Sequence, residues 1–255
     1  MNLRSLALHL RTVITTIKII PLSFVLLLLA VSVTARAAVF NAADARLASI
    51  DAIANVLQVQ QADRGKKKLL QKQLQSNLEQ LQNWQGQSML PAPVEDALDT
   101  FKVALNDTAT GFSLPQAQRL MNQWRALDEL LAAMALSDRA PLDQALASMD
   151  LAFAMQNLGY LLQQWPALSA QLPEANTAAV VQRDTEIRKE INELENLVPG
   201  ERLLEKLKSR YALVSAKVLE PDDNYSPPLV MFFTSSMRDM LDKIAFRAQL
   251  RAANA

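Results

Sequence analysis

The side chains that most often carry catalytic or metal chemistry are nearly absent from this chain. It contains no cysteine, and its single histidine, His9, precedes a long apolar segment. Everything after that segment therefore lacks both residue types. This excludes disulfides, thiolate or imidazole zinc sites, Ser-His-Asp and Cys-His catalysis, and Glu-x-x-His di-iron sites from that part of the chain. We predict that the protein is not an enzyme and has no catalytic residue, no metal site and no cofactor.

Charged clusters remain as the other candidates for chemistry. The lysines at 66–68 could bind phosphate or an anionic lipid, and the glutamates at 186, 190, 193 and 195 could act as acids or bases. A run of charges on a helix is more often a solvated face, where nothing shifts a carboxyl pKa. The loop signal at 221–228 lacks the glycine and the spacing of an EF-hand. We expect all three segments to be solvent-exposed and without a catalytic or calcium-binding role.

Composition indicates an all-α protein. Half of the 255 residues are hydrophobic, only five are glycine, and basic and acidic side chains balance at 26 each. Glycine-rich nucleotide-binding folds and turn-rich β folds need more glycine than this. Because nucleic-acid-binding proteins usually show a basic excess, the zero net charge argues against nucleic acid as a partner.

The apolar segment at 19–35 carries no charge and follows Arg4, Arg11 and Lys18. One interpretation is a transmembrane anchor whose N-terminus is cytoplasmic. The other is a signal peptide cleaved after Ala37, since Ala35 and Ala37 have the small-x-small form of a cleavage site. The 18 residues that precede the apolar segment are long for the N-terminal region of a signal peptide, and this length favours the transmembrane anchor.

These interpretations divide the chain into three parts. Residues 1–18 form a cytoplasmic segment, 19–37 the anchor or signal, and 38–255 an extracytoplasmic helical bundle. We predict a single-pass inner-membrane protein whose bulk is periplasmic, or, after cleavage, a protein secreted to the periplasm.

Hydrophobic periodicity predicts an antiparallel bundle of about six to seven helices after the N-terminal segment. One long helical pattern runs from 40 to 84, interrupted by a kink or loop at 63–68. A loop is predicted at 106–112, followed by Ser113 as the N-cap of the next helix, with Gln116 three residues later. The other predicted helices span 94–105, 113–136, 142–165, 175–198, 201–219 and 229–251.

Two of these patterns carry more information than the rest. The 142–165 segment has two apolar seams, one through Met149 and Phe153 and one through Leu158 and Leu162, which predicts a helix buried on two sides at the centre of the bundle. Residues 175–219 have heptad-like stripes on both sides of Pro199-Gly200, which predicts a helical hairpin. The bundle could therefore contain two sub-bundles, with this hairpin and a final helix at 229–251.

An anchor that continues into a long amphipathic helix and further antiparallel helices resembles the extracytoplasmic helical-bundle sensor modules of bacterial membrane receptors. The resemblance is architectural and assigns no ligand residues. It implies a module that binds a ligand or protein partner in signal sensing. Those receptors return through the membrane to an output domain, whereas no second spanning segment follows here, so sensing would require a partner or a longer chain.

Two other functions stay open. The bundle could be a non-catalytic scaffold or assembly factor of an envelope secretion or pilus machine, or an enzyme that uses only Asp, Glu, Lys, Arg, Ser or Tyr. Under the sensing and scaffold hypotheses we expect a protein partner and self-association, with a homodimer as the simplest form.

Overall fold

The computed structural model describes residues 41–87, 90–134, 140–219 and 227–253, and this part of the chain is entirely helical outside its short connections. It contains eight long helices. They are α1 (Ala42–Gln61), α2 (Arg64–Gln87), α3 (Ala92–Thr110), α4 (Leu114–Met134), α5 (Pro141–Leu162), α6 (Thr177–Leu197), α7 (Arg202–Leu219) and α8 (Pro227–Ala253). A short helix, Pro166–Ser169, and a 3-10 turn, Pro173–Ala175, connect α5 to α6. The predicted all-α class is confirmed.

The predicted membrane segment at 19–35 and the loop residues 221–226 lie outside the described residues. Among the helices that are described, none has both the length and the apolar character needed to span a bilayer.

The predicted interruption of the 40–84 segment is present, as a short break at Ala62 and Asp63 with the backbone extended at Ala62, but α2 already begins at Arg64 and so includes most of the interval 63–68. The two helices pack on each other, and the described chain has one helix more than the upper prediction of seven. A second boundary is wrong. The loop predicted at 106–112 begins only at Gly111, since α3 continues to Thr110. Leu105 and Thr108 are fully buried there, and this packing outweighs the weak helix propensity of Asn106, Asp107 and Thr108.

Side-chain caps set several helix starts. The backbone N–H of Gln116 donates to Ser113 Oγ at 3.4 Å, and Ser113 Oγ donates to Gln116 Oε1 at 2.6 Å, which confirms the predicted cap. Asn41 and Asn176 cap α1 and α6 in the same way, each accepting from the backbone N–H two residues later. Gly200 adopts a φ of 76° in the turn between α6 and α7, a conformation that glycine accommodates without strain.

Helices α5 to α8 enclose a hydrophobic core of their own. It includes Met149 and Phe153 of α5, Ile187 of α6, Leu207 of α7 and Met237 of α8, all nearly inaccessible to solvent. Helix α5 also packs against α1, so it is buried on two sides, as its two apolar seams predict. It therefore joins the α5–α8 group to α1, which in turn packs against α2, α3 and α4.

Candidate functional site

An arginine on the last helix holds two aspartates from two other helices. Arg238 of α8 donates from Nη1 and Nη2 to the two carboxylate oxygens of Asp51 on α1, at 2.9 and 3.0 Å. Its Nε donates to Oδ1 of Asp150 on α5 at 2.6 Å. All three side chains are partly buried: 24% of the Arg238 side chain is exposed, 33% of Asp51 and 23% of Asp150. We call these residues the Arg238 cluster.

The Arg238 cluster has more negative than positive charge. Burial raises the pKa of Asp150, with smaller contributions from the nearby carboxylates of Asp51 and Asp242, and Arg238 opposes this rise. Burial acts to lower the pKa of Arg238, but the attraction of Asp51 and Asp150 outweighs it and raises that pKa. Arg238 therefore remains charged, while one guanidinium has to compensate two close carboxylates.

A polar pocket of about 280 Å³ lies next to the Arg238 cluster, between α1, α2, α5 and α8. Asp51 and Arg238 form part of its wall. Its other polar side chains are five carboxamides and three hydroxyls: Asn55, Gln58, Gln73, Asn77, Asn157, Ser76, Thr234 and Ser235. Carboxamides and hydroxyls both donate and accept hydrogen bonds, so these eight side chains can bind a polar group without supplying charge.

Asn157 lacks a hydrogen-bond partner at a buried position of this wall. Its side chain is 9% exposed, and its Oδ1 is buried without a partner among the described residues. The preceding residue, Gln156, is 2% exposed, and both of its amide heavy atoms are likewise buried and unpartnered. Buried polar atoms in native proteins are nearly always hydrogen-bonded, so the Oδ1 of Asn157 favours a polar group at this wall.

An apolar groove of about 890 Å³ continues from the polar pocket and shares Gln58, Met231 and Ser235 with it. It forms because α2 packs mainly on α1, which leaves a gap beside the N-terminal end of α8. Its apolar walls are Leu69, Leu70, Trp165, Pro227, Pro228, Met231 and Phe232. A pocket of this volume and composition falls in the range of small-molecule sites, which are mostly apolar with a few polar groups.

Three side chains of the apolar groove are notable. Phe232 and Leu69 are 65% and 60% exposed, unusually open for large apolar residues. Trp165 packs against Phe112 with ring centroids 4.3 Å apart and ring planes tilted by 42°, and its Nε1 is buried without an acceptor among the described residues. The groove therefore offers a large, partly exposed apolar surface.

The charged segments singled out in the sequence lie elsewhere or at the edge of this site. Lys67 and Lys68 are exposed on α2, as expected of a solvated face, and Lys66 is exposed at the rim of the apolar groove. Of the helical glutamates, 186, 193 and 195 are exposed. Glu190 differs from that expectation: it is half-buried, accepts from Ser148 Oγ at 2.8 Å, and has a buried Oε2 with no partner among the described residues. Burial raises its pKa.

A second buried polar network ties α6 to α7. Tyr211 donates its hydroxyl to Asp184 Oδ1 at 2.7 Å, and Arg188 donates to Asp184 Oδ2 at 2.8 Å. Burial acts to raise the pKa of Asp184, but hydrogen bonds from Ser215, Arg188 and Tyr211 outweigh it and lower that pKa. Neither the apolar groove nor the polar pocket includes these side chains, and the hydrogen bonds of the network hold the hairpin together.

Sequence reasoning named neither the Arg238 cluster nor Asn157. Asp51 lies between Ile50 and Ile53, and Asp150 follows Met149, all three apolar neighbours being buried. A charge inside an apolar stripe is a signal that could have identified Asp51 and Asp150.

No protein-family model, no curated protein and no solved structure matches this chain.

Proposed function

We propose that this chain is a membrane-anchored, extracytoplasmic helical module that binds a small ligand and takes part in signal sensing. The observation that carries the proposal is the apolar groove with its adjoining polar pocket, which has the size and mixed chemistry of a ligand site. Asn157, whose buried Oδ1 has no partner within the described part of the chain, lies at its polar end.

The position of this site supports a role in signalling. Its walls come from α1, α2, α5 and α8, and the Arg238 cluster fastens three of these helices together at its edge. A ligand that prefers one arrangement of these helices would shift the balance between arrangements. Helix α1, which contributes to the wall of the site, begins at Ala42, only a few residues of sequence after the predicted anchor at 19–35.

Ligand binding is tested by thermal unfolding of the full chain, in phospholipid nanodiscs, against a small-molecule library. A ligand that binds the folded state raises Tm in a saturable way. Ser235 is exposed and lines both the groove and the pocket, so Ser235→Trp should abolish the rise. Gln249→Trp places the same side chain at an exposed site on the same helix, outside both cavities, and should leave the rise unchanged. A rise that survives Ser235→Trp would place the ligand elsewhere.

The scaffold function remains the second candidate, and exposed apolar side chains favour it. Leu213 of α7 and Phe246 of α8 are 58% and 61% exposed, and Leu250 is 48% exposed. Cross-linking in living cells, followed by purification from the membrane fraction and mass spectrometry, separates the two functions. Co-purification with a kinase, cyclase or receptor would support sensing, and co-purification with fixed secretion or pilus components would support the scaffold.

Topology is tested separately by fusing alkaline phosphatase, which is active only outside the cytoplasm, after Ala255. We expect an active fusion in the membrane fraction if residues 19–35 anchor the chain, and an active soluble fusion if they are cleaved. An inactive fusion would contradict an extracytoplasmic location.

A further inference from the structure

We infer that the site takes an uncharged amphiphile, whose carboxamide or hydroxyl head occupies the polar pocket and whose apolar body occupies the groove. This inference rests on the proposed function and specifies the ligand class.

The two cavities divide one elongated site by polarity. Along α8, Pro228 and Phe232 line only the apolar groove, Met231 and Ser235 line both, and Arg238 lines only the polar pocket. Ten residues of α-helix separate Pro228 from Arg238, which is about 15 Å. Polarity therefore changes along the site, and a ligand that fills it has an apolar end and a polar end.

Charge selects against an ionic head. Asp51 and Arg238, the ionisable side chains that the structure places in the wall of the polar pocket, are bound to each other. Arg238 is also held by Asp150. An anionic head would face the carboxylate excess of the Arg238 cluster, and a cationic head would face the guanidinium. Either ion would lose its hydration without gaining an uncommitted counter-charge.

Hydrogen bonding selects for a neutral polar head. The carboxamides and hydroxyls of the wall supply donors and acceptors in one small volume. Asn157 is one of these carboxamides, and its buried Oδ1 has no hydrogen-bond partner among the described residues. A primary carboxamide both donates and accepts, so it matches this wall better than a carboxylate, which only accepts, or an ammonium, which only donates.

The test uses four probes that share one apolar body: hexanamide, 1-hexanol, hexanoate and hexylamine. Each is titrated into the full chain in nanodiscs at neutral pH, and Tm and tryptophan fluorescence are followed, since Trp165 lines the groove. We expect saturable binding of hexanamide, with at least tenfold weaker binding of hexanoate and hexylamine. Ser235→Trp should abolish the binding, and Gln249→Trp should preserve it.

Asn157→Leu, similar in size, removes one carboxamide of the wall, so it should weaken both neutral probes, hexanamide and 1-hexanol, at least tenfold. Asn157 is buried, so its replacement could unfold the protein. Ser235 is exposed, so Ser235→Trp tests the same site without that risk.

Two results would overturn the inference. One is binding of hexanoate or hexylamine that equals or exceeds that of hexanamide. The other is the absence of probe binding while library compounds raise Tm and lose their effect in Ser235→Trp. In both cases the proposed function stands. If neither the probes nor any library compound binds, the proposed function fails together with the inference.

Discussion

Arg238 binds Asp51 through two hydrogen bonds, of 2.9 and 3.0 Å, across a separation of 187 residues. The pair joins the first and the last helix of the described chain, and Asp150 adds the central helix α5 through a third bond. Closure of the bundle therefore depends on a partly buried charge cluster as well as on apolar packing.

Removing this arginine should destabilise the fold. In Arg238→Met, Asp51 and Asp150 lose their common counter-ion while they remain partly buried. Breaking a buried ion pair costs roughly 3 to 5 kcal/mol, and the residual solvent access here reduces the expected loss to about 2 to 3 kcal/mol. Urea unfolding measures this change, and adding Asp51→Asn and Asp150→Asn should restore part of it.

Arg119→Met is the matched control. Arg119 approaches Asp107 at 3.9 Å, and both side chains are about half exposed or more, so its loss should cost less than about 0.5 kcal/mol. Equal stabilities of Arg238→Met and Arg119→Met would contradict a structural role for the Arg238 cluster.

Alanine substitutions at two helical glycines should change the free energy of unfolding in opposite directions. A Cβ at Gly159 of α5 would lie 2.8 Å from the backbone oxygen of Glu174 and 3.0 Å from Nη1 of Arg183, whereas a Cβ at Gly86 of α2 would meet nothing within 4 Å. Gly159→Ala should lower the free energy of unfolding by about 1 to 3 kcal/mol because of overpacking. Gly86→Ala should raise it by about 0.5 to 1 kcal/mol through helix propensity. Chemical denaturation of both variants checks the pair, and a stabilising Gly159→Ala would refute the close contact.

The ionisation of Glu190 should lower the free energy of unfolding as pH rises. Its pKa in the folded protein is raised by burial, so the folded state holds its proton more tightly than the unfolded state does. Stability is then lost as pH rises from about 4, the unfolded pKa of a glutamate, through the folded pKa. Glu190→Gln cannot ionise and keeps an acceptor for Ser148, so at neutral pH it should exceed the wild type by up to about 1 kcal/mol. The difference should vanish near pH 4, and a difference independent of pH would exclude this ionisation as its cause.

Local signals explain how far the fold could be predicted. The start of α4 followed from Ser113 and Gln116, and the α6–α7 turn followed from Pro199-Gly200, because caps and turns depend on neighbouring residues. The end of α3 could not be predicted from neighbouring residues, because the burial of Thr108 depends on helices distant in the chain. Boundaries set by tertiary packing have no signature in a single sequence.

The candidate site was harder to predict for a related reason. Asp51, Asp150 and Arg238 each belong to a separate helix, and their spacing along the chain follows no motif. The surrounding groove exists only because α2 folds back on α1 instead of continuing it, which depends on the extended backbone at Ala62. A polar residue within an apolar stripe, such as Asn157 beside Leu158, was the available signal, but it does not indicate which residues will face it.

The Tyr211–Asp184 hydrogen bond should stabilise the α6–α7 hairpin in a pH-dependent way. Tyr211 is 2% exposed and donates to Asp184 at 2.7 Å, and its ring lies 5.8 Å from that of Phe153. Tyr211→Phe keeps the ring and removes only the hydroxyl, so at neutral pH it should cost about 1.5 to 3 kcal/mol, the range for a bond to a charged acceptor.

Acid should reduce that cost. The pKa of Asp184 in the folded protein lies below its ordinary value, so its stabilising contribution is complete above the unfolded pKa of about 4 and is lost as pH falls through the folded value. Urea unfolding of the wild type, Tyr211→Phe, Asp184→Asn and the double variant between neutral pH and about pH 3 gives the coupling energy at each pH. We expect a constant coupling down to about pH 4 and a decline only below it. A coupling that is already lost near pH 6 would show that Asp184 is protonated there and that its pKa is raised, so burial would then outweigh its three hydrogen bonds.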